Sequence, residues 1–131
     1  MKIYNINDKS FINSDIYLKF MEDNPSLGSL EIRAFTANEA VPISGLKVEI
    51  STIYNDDKII FFEGETDESG KIDKMFLPTP KLNDDDLKVP SKRQYEINAT
   101  FKNSNKIYSV NIYENICVVQ NIEMIPKLGG N

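Results

Sequence analysis

Residues 64–72, GETDESGKI, concentrate the side chains that could do acid–base or metal chemistry. Three carboxylates lie there within four residues, between two glycines. A glycoside hydrolase needs two carboxylates that face each other across a cleft, whereas these acids crowd one loop end. We therefore expect a turn joining two strands as a hairpin. Asp67 or Ser69 would bond the backbone two residues on, and Gly70 would supply a positive φ.

A second acidic run, Asp84, Asp85 and Asp86, lies in a long polar loop. Calcium sites of the EF-hand type need alternating ligands, a glycine and a distant glutamate, and that spacing is missing here. The run favours a solvated loop, and calcium binding stays an open alternative.

The residue types that most catalytic sites need are scarce in this chain. It has no histidine and a single cysteine, Cys117, which excludes Ser-His-Asp and Cys-His arrangements and imidazole or multi-thiolate metal sites. The apolar neighbours of Cys117 predict a buried strand thiol. We expect no catalytic, cofactor-binding or metal-binding residue and a protein that is not an enzyme.

Charge and hydropathy exclude further classes of function. The net charge is −5 and the basic residues are scattered, whereas binding a nucleic-acid backbone needs a concentrated positive face. Apolar runs reach only four residues, as in IIFF and ICVV, so no membrane span is expected. The N-terminus lacks the apolar stretch of a signal peptide, which predicts a cytoplasmic location.

Residues 1–26 differ from the rest and form a predicted N-terminal arm. A serine at position 10 or 14 could cap a short helix that ends at Asn24, although the same stretch also alternates like a strand. We expect the arm to pack on the domain or on a partner. Its candidate contact residues are Phe11, Ile16 and Phe20.

From Leu27 onward the apolar pattern changes to a period of two. Seven alternating segments, separated by turn residues about every ten positions, predict an all-β fold. The expected architecture is a single seven-stranded antiparallel Greek-key β-sandwich over residues 27–126, followed by a flexible tail at 127–131. Its strand edges predict a protein partner or self-association through an edge or through the arm.

Several short motifs within residues 28–126 resemble a known pattern. They are the turn and strand from Pro42 through Gly45 to Val48, TDESGKI at 66–72, LPTP at 77–80, YEINA at 95–99 and VQNIEMIP at 119–126. Together they resemble the prealbumin-like, or carboxypeptidase-regulatory-like, β-sandwich. They are similar in particular to the accessory domain of spore cortex-lytic enzyme precursors of endospore-forming bacteria.

The resemblance implies a non-catalytic accessory module associated with the forespore, the spore or the cell envelope. The enzymatic branch of this fold, the hydroxyisourate hydrolases, depends on histidines and a C-terminal Tyr-Arg-Gly-Ser, and this chain has neither. Two alternatives stay open. One is a carbohydrate-binding or peptidoglycan-binding module that stacks sugars on Tyr54, Tyr108 and Tyr113; the other is a small structural component of a phage or injection machine.

Overall fold

Two β-sheets make up most of the protein in the computed structural model, which describes residues 1–38, 40–82 and 91–125. The strands are β1 Ile3–Asn5, β2 Ser26–Thr36, β3 Lys47–Tyr54, β4 Asp57–Glu65, β5 Lys71–Thr79, β6 Arg93–Phe101, β7 Ser104–Ile112 and β8 Cys117–Met124. The helices are α1 Lys9–Ile12 and α2 Asp15–Asp23. The larger sheet has the order β1-β4-β3-β6-β7, and the smaller has the order β5-β2-β8.

The all-β class is confirmed, but the predicted count and direction of the strands are wrong. Eight strands are present in the described residues instead of seven, and two pairs, β1 with β4 and β2 with β8, run parallel. The additional strand, β1, has three residues, too few for a period of two to be visible. Both parallel pairs join segments far apart in sequence, which no local pattern reveals.

The main core lies between the two sheets, where inward-facing residues of alternating strands meet. Polar groups tie the layers together at one end of this core. The Tyr95 hydroxyl donates to the carbonyl of Pro78 at 2.5 Å, and the Thr79 hydroxyl donates to the carbonyl of Ile112 at 2.6 Å. The largest fully buried core side chains are Leu30, Ile32, Leu46, Ile50, Leu77, Tyr95, Ile97, Ile112, Ile122 and Met124.

The N-terminal arm contains both a strand and helices, and it packs against β3 and β4. Ser14 caps α2 by accepting a hydrogen bond from the Tyr17 N–H at 3.3 Å, as expected at an N-terminus. Phe11 and Phe20 from the helices form a second buried cluster with Tyr54 and Ile59. The arm therefore completes the domain.

Phe61 links the second cluster to the main core. Its ring lies 5.6 Å from that of Phe20 and 5.6 Å from that of Tyr95. The two clusters are consequently in packing contact through one aromatic side chain.

The acidic run Asp84–Asp86 and the tail at 127–131 lie outside the described residues. Among the residues that are described, neither helix has the length and apolar character needed to cross a bilayer.

Candidate functional site

The acidic stretch at 64–72 forms a tight turn at the end of the sandwich. One carboxylate oxygen of Asp67 accepts from the N–H groups of Ser69 and Lys71, each at 2.9 Å. The predicted hairpin is wrong, because the strands that the turn joins, β4 and β5, belong to different sheets. Asp67 and Glu68 are exposed at the tip, and their geometry is that of a chain corner.

Gly70 and Gly45, two of the predicted turn residues, both adopt positive φ, at +75° and +80°. Gly70 also lies against β2, since its carbonyl accepts from the Ala34 N–H at 2.7 Å and a Cβ on Gly70 would meet the Ala34 oxygen at 2.4 Å. Pro42, nearby, bridges to Phe35. These residues fix the corner between the sheets.

The six residues proposed for an interaction surface differ in their exposure. Three of them are buried, with Phe11 3%, Phe20 0% and Tyr54 7% exposed. The two phenylalanines pack inside the domain, one of the two alternatives expected for the arm. Of the others, Ile16 is exposed, whereas Tyr108 and Tyr113 are half-buried and Tyr108 packs against the main core.

Around Tyr54 the charged groups are already committed to structural contacts. The Tyr54 hydroxyl donates to Asp23 at 2.5 Å, and the Arg93 guanidinium lies 5.6 Å from the Tyr54 ring and 5.4 Å from the Phe20 ring. Arg93 also donates to the side chain of Asn24 at 3.1 Å. Burial, with a further effect of Asp23, raises the pKa of Tyr54 to about 12, so this phenol stays neutral and holds α2 in place.

The outer face of the five-stranded sheet carries an open, polar groove of about 400 Å³. It is lined by Lys47, Val48, Glu49, Glu63, Gly64, Glu65, Asn98 and Thr100. The Lys58 ammonium group forms a salt bridge with the Glu49 carboxylate at 2.7 Å, and the Glu63 carboxylate accepts a hydrogen bond from the Asn5 side-chain amide at 2.7 Å. Within the described ranges no three acidic or cysteine side chains gather as metal ligands. The groove has no aromatic wall on which a sugar could stack.

The strand edges are the remaining candidates, because an unpaired edge presents free backbone N–H and C=O groups to a partner. The described part of the chain has four such edges, and two of them are blunted. β1 has only three residues. β5 contains a register shift against β2, a proline at position 78 and three charged side chains, Lys71, Asp73 and Lys74.

The β7 edge carries a different protection. Lys106 is paired with Ala99, a fully buried core residue, so its side chain starts toward the sandwich interior. An inward-pointing lysine is a known device against edge pairing. Its ammonium group crosses to the smaller sheet and donates to the carbonyl of Glu123 at 2.7 Å.

β8 contains no proline and no basic residue, and its eight residue pairs with β2 show no register shift. The backbone N–H of Ser29 donates to the carbonyl of Ile116, and the backbone N–H of Ala37 donates to the carbonyl of Met124. Since backbone groups alternate in direction along a strand, even-numbered residues of β8 face β2. The N–H and C=O groups of odd-numbered residues therefore point to the free edge.

Side chains cover only the second half of this free edge. The carbonyl of Asn121 accepts from the Gln120 amide at 2.9 Å, and the carbonyl of Glu123 accepts from Lys106. No side-chain cap lies on the backbone of Cys117 or Val119 among the described residues. We call residues 116–119, which are Ile116 and the first three residues of β8, the open half of β8.

The open half of β8 is also apolar and incompletely covered. Ile116 is 48% and Val119 45% exposed, while Val118, which packs against the main core, is half-buried. The prediction of a buried thiol at Cys117 is wrong, because this side chain is exposed on the outer face of the smaller sheet. ICVV is therefore apolar on both faces although this end of the strand is not covered. The pattern is visible in the sequence, but it was interpreted as a sign of burial.

Glu114 and Asn115 do not join a hairpin, because β7 and β8 belong to different sheets. Glu114 instead accepts from the Ser26 hydroxyl at 2.5 Å and from the Leu82 N–H at 3.1 Å. These hydrogen bonds lower the pKa of Glu114 and anchor the chain where it enters β8.

No protein-family model matches the chain, and no curated protein matches it in sequence.

Proposed function

We propose that this protein is a non-enzymatic interaction module that binds another protein through the open half of β8. The observation that carries this proposal is an edge with free backbone groups at Cys117 and Val119, flanked by exposed Ile116 and Val119 side chains. An extended strand is the partner structure that satisfies a row of alternating donors and acceptors. Apolar side chains beside the row add area that is removed from water on binding.

The setting that we propose is an accessory role at the spore or cell envelope. Its support is the resemblance of the motifs at 42–48, 66–72, 77–80, 95–99 and 119–126 to the prealbumin-like accessory domain of spore cortex-lytic enzyme precursors. Two packed sheets and a corner built on Asp67 and Gly70 are compatible with such a domain.

A carbohydrate-binding role has weaker support. Tyr54, the first of the proposed stacking residues, is buried and bonded to Asp23, and the open polar groove is lined without an aromatic ring. A phage or injection-machine role is favoured by no feature of the described residues.

A capture experiment with matched variants tests the proposed function. Wild-type chain, Val119→Lys and Ile53→Lys would be immobilised and exposed to lysate from sporulating cells of an endospore-forming bacterium. Ile53 is 51% exposed on β3, so it controls for replacing an exposed strand residue with lysine. We expect envelope or cortex-lytic proteins on the wild type and on Ile53→Lys, and their loss on Val119→Lys. Equal recovery on all three would reject binding through this edge, and recovery of no such protein would reject the envelope setting.

A further inference from the structure

We infer that the partner strand at the open half of β8 is the same segment of a second copy of this chain. The two strands would pair antiparallel about a twofold axis beside Val118 and join the two smaller sheets into one six-stranded sheet. This inference rests on the proposed function, since it uses the same edge, and it names the occupant.

The free backbone groups fit this register. With Val118 on the axis, Cys117 lies opposite Val119 of the second copy, and Val119 lies opposite its Cys117. Directly opposite residues whose groups face the partner exchange both N–H···O=C bonds, so these two pairs form four hydrogen bonds. The side-chain caps on the carbonyls of Asn121 and Glu123 stay in place. A register shifted toward the C-terminal end of β8 would have to displace them.

Charge also permits two identical edges to meet here. Residues 115–122 carry no charge, and Glu114 and Glu123 flank them. In the proposed register the paired residues are those around Val118, and both glutamates lie outside the pairing, Glu114 in the turn that precedes β8. No like charges lie directly opposite each other, an arrangement that would otherwise destabilise the pairing.

Coverage of the core supplies a further reason for a second copy. Val118 lies on the inner face of β8, opposite the fully buried Leu30, yet it is only half-buried, and Ile116 is 48% exposed. Pairing about Val118 brings this residue against Val118 of the second copy, and each of the two valines covers the other. The open half of the β8 edge is covered in both copies in the same step, and the β5 edges are left as they are.

Sedimentation velocity over a concentration series tests the inference on the purified full chain. We expect the wild type and Ile53→Lys to reach twice the chain mass of 14.9 kDa, and Val119→Lys to dimerise at least about tenfold more weakly. Lysine at 119 places two ammonium groups beside the axis while its side chain stays in solvent. A wild type that stays monomeric at every concentration, or a dimer unaffected by Val119→Lys, would overturn the inference.

Cys117 reports the register without any substitution. In the proposed pairing the two Cys117 residues are diagonal neighbours with Cα atoms about 7–8 Å apart, so a short bifunctional thiol reagent should link them into a covalent dimer. Cys117→Ser should abolish the link. Dimers that form but are not linked would reject this register. This readout does not depend on the folding of a variant.

The two proposals fail separately. A wild type that is monomeric yet loses its captured protein in Val119→Lys would reject the self-pairing and keep the interaction function. A dimer that captures no envelope or cortex-lytic protein would keep the self-pairing and reject the envelope role.

Discussion

At the scale of single residues, Gly70 satisfies two constraints at once. Its φ of +75° is strained for any side chain, and the Ala34 carbonyl oxygen lies 2.4 Å from where a Cβ would stand. Gly45 shares the positive φ, at +80°, but nothing lies within 4 Å of its Cβ position. A substitution at Gly45 therefore adds backbone strain alone, whereas a substitution at Gly70 adds both strain and a steric clash.

Replacing Gly70 with alanine should destabilise the protein more than replacing Gly45. Strain alone at a positive φ costs about 1 kcal/mol, and at position 70 the added methyl group must also displace the backbone of β2. We expect a loss of about 1 kcal/mol for Gly45→Ala and about 2 kcal/mol or more for Gly70→Ala, measured by urea unfolding. Equal losses would show that the contact with Ala34 relaxes without cost.

Tyr54 should make the protein sensitive to alkali. Its pKa in the fold is about 12 against about 10 in an unfolded chain, so the fold favours the neutral phenol. That contribution is complete below pH 10 and is lost as the pH rises toward 12. The buried Tyr95, whose pKa is also raised by burial, acts in the same direction.

The alkaline loss of stability should be shallower in Tyr54→Phe than in the wild type. Urea midpoints measured from pH 8 to pH 11 provide the comparison, and Tyr113→Phe serves as the control outside both buried clusters. A Tyr54→Phe profile parallel to the wild type would contradict the assigned role of this phenol.

At the scale of elements, the N-terminal arm supplies two of the four buried residues of the second cluster, Phe11 and Phe20. α2 buries Phe20 completely between Tyr54 and Phe61, whereas Leu18 on the same helix is 55% exposed. The arm is held by aromatic packing and by the parallel pairing of β1 with β4. Its loss would expose the face of β4 that carries Ile59.

Phe20→Ala should therefore be strongly destabilising and Leu18→Ala nearly neutral. Truncating a buried phenylalanine typically costs about 3–5 kcal/mol, whereas surface substitutions stay within about 0.5 kcal/mol. Urea unfolding of both variants measures the difference. A small effect of Phe20→Ala would mean that the arm contributes little to the stability of the sandwich.

The elements also show what the sequence could and could not predict. Alternation located seven strands, and Asp67 with Gly70 located a turn, because both signals are local. Sheet membership was not predictable, because it depends on contacts between distant segments such as β2 with β8. Phe20 packs on the domain, one of the two expected alternatives, whereas Cys117 was misassigned, since local spacing does not show whether a neighbouring element covers an apolar side chain.

At the scale of the whole molecule, the proposed dimer forms between two chains that each carry a net charge of −5. The pairing itself uses backbone hydrogen bonds and apolar side chains, which salt hardly weakens. Long-range repulsion between the copies is screened once the Debye length falls below their separation. Raising the ionic strength should therefore favour dimerisation.

Dimerisation should tighten when salt is raised from about 0.01 M to about 0.15 M, over which the Debye length shrinks from about 30 Å to about 8 Å. Sedimentation velocity at both ionic strengths measures the change. A dimer that weakens with salt would instead be held by ion pairs, which would contradict pairing through the uncharged residues 115–122.

The parallel pairing of β2 with β8 has a consequence for how the chain is made. The contact of Ser26 with Glu114 spans 88 residues, and β2 is the central strand of its sheet. During translation β2 emerges well before its second neighbour, β8. β5 is available to one edge of β2 before β8 is made, but the smaller sheet can be completed only after the residues between β2 and β8 have been synthesised, so the order of synthesis leaves one edge of β2 unpaired in the nascent chain.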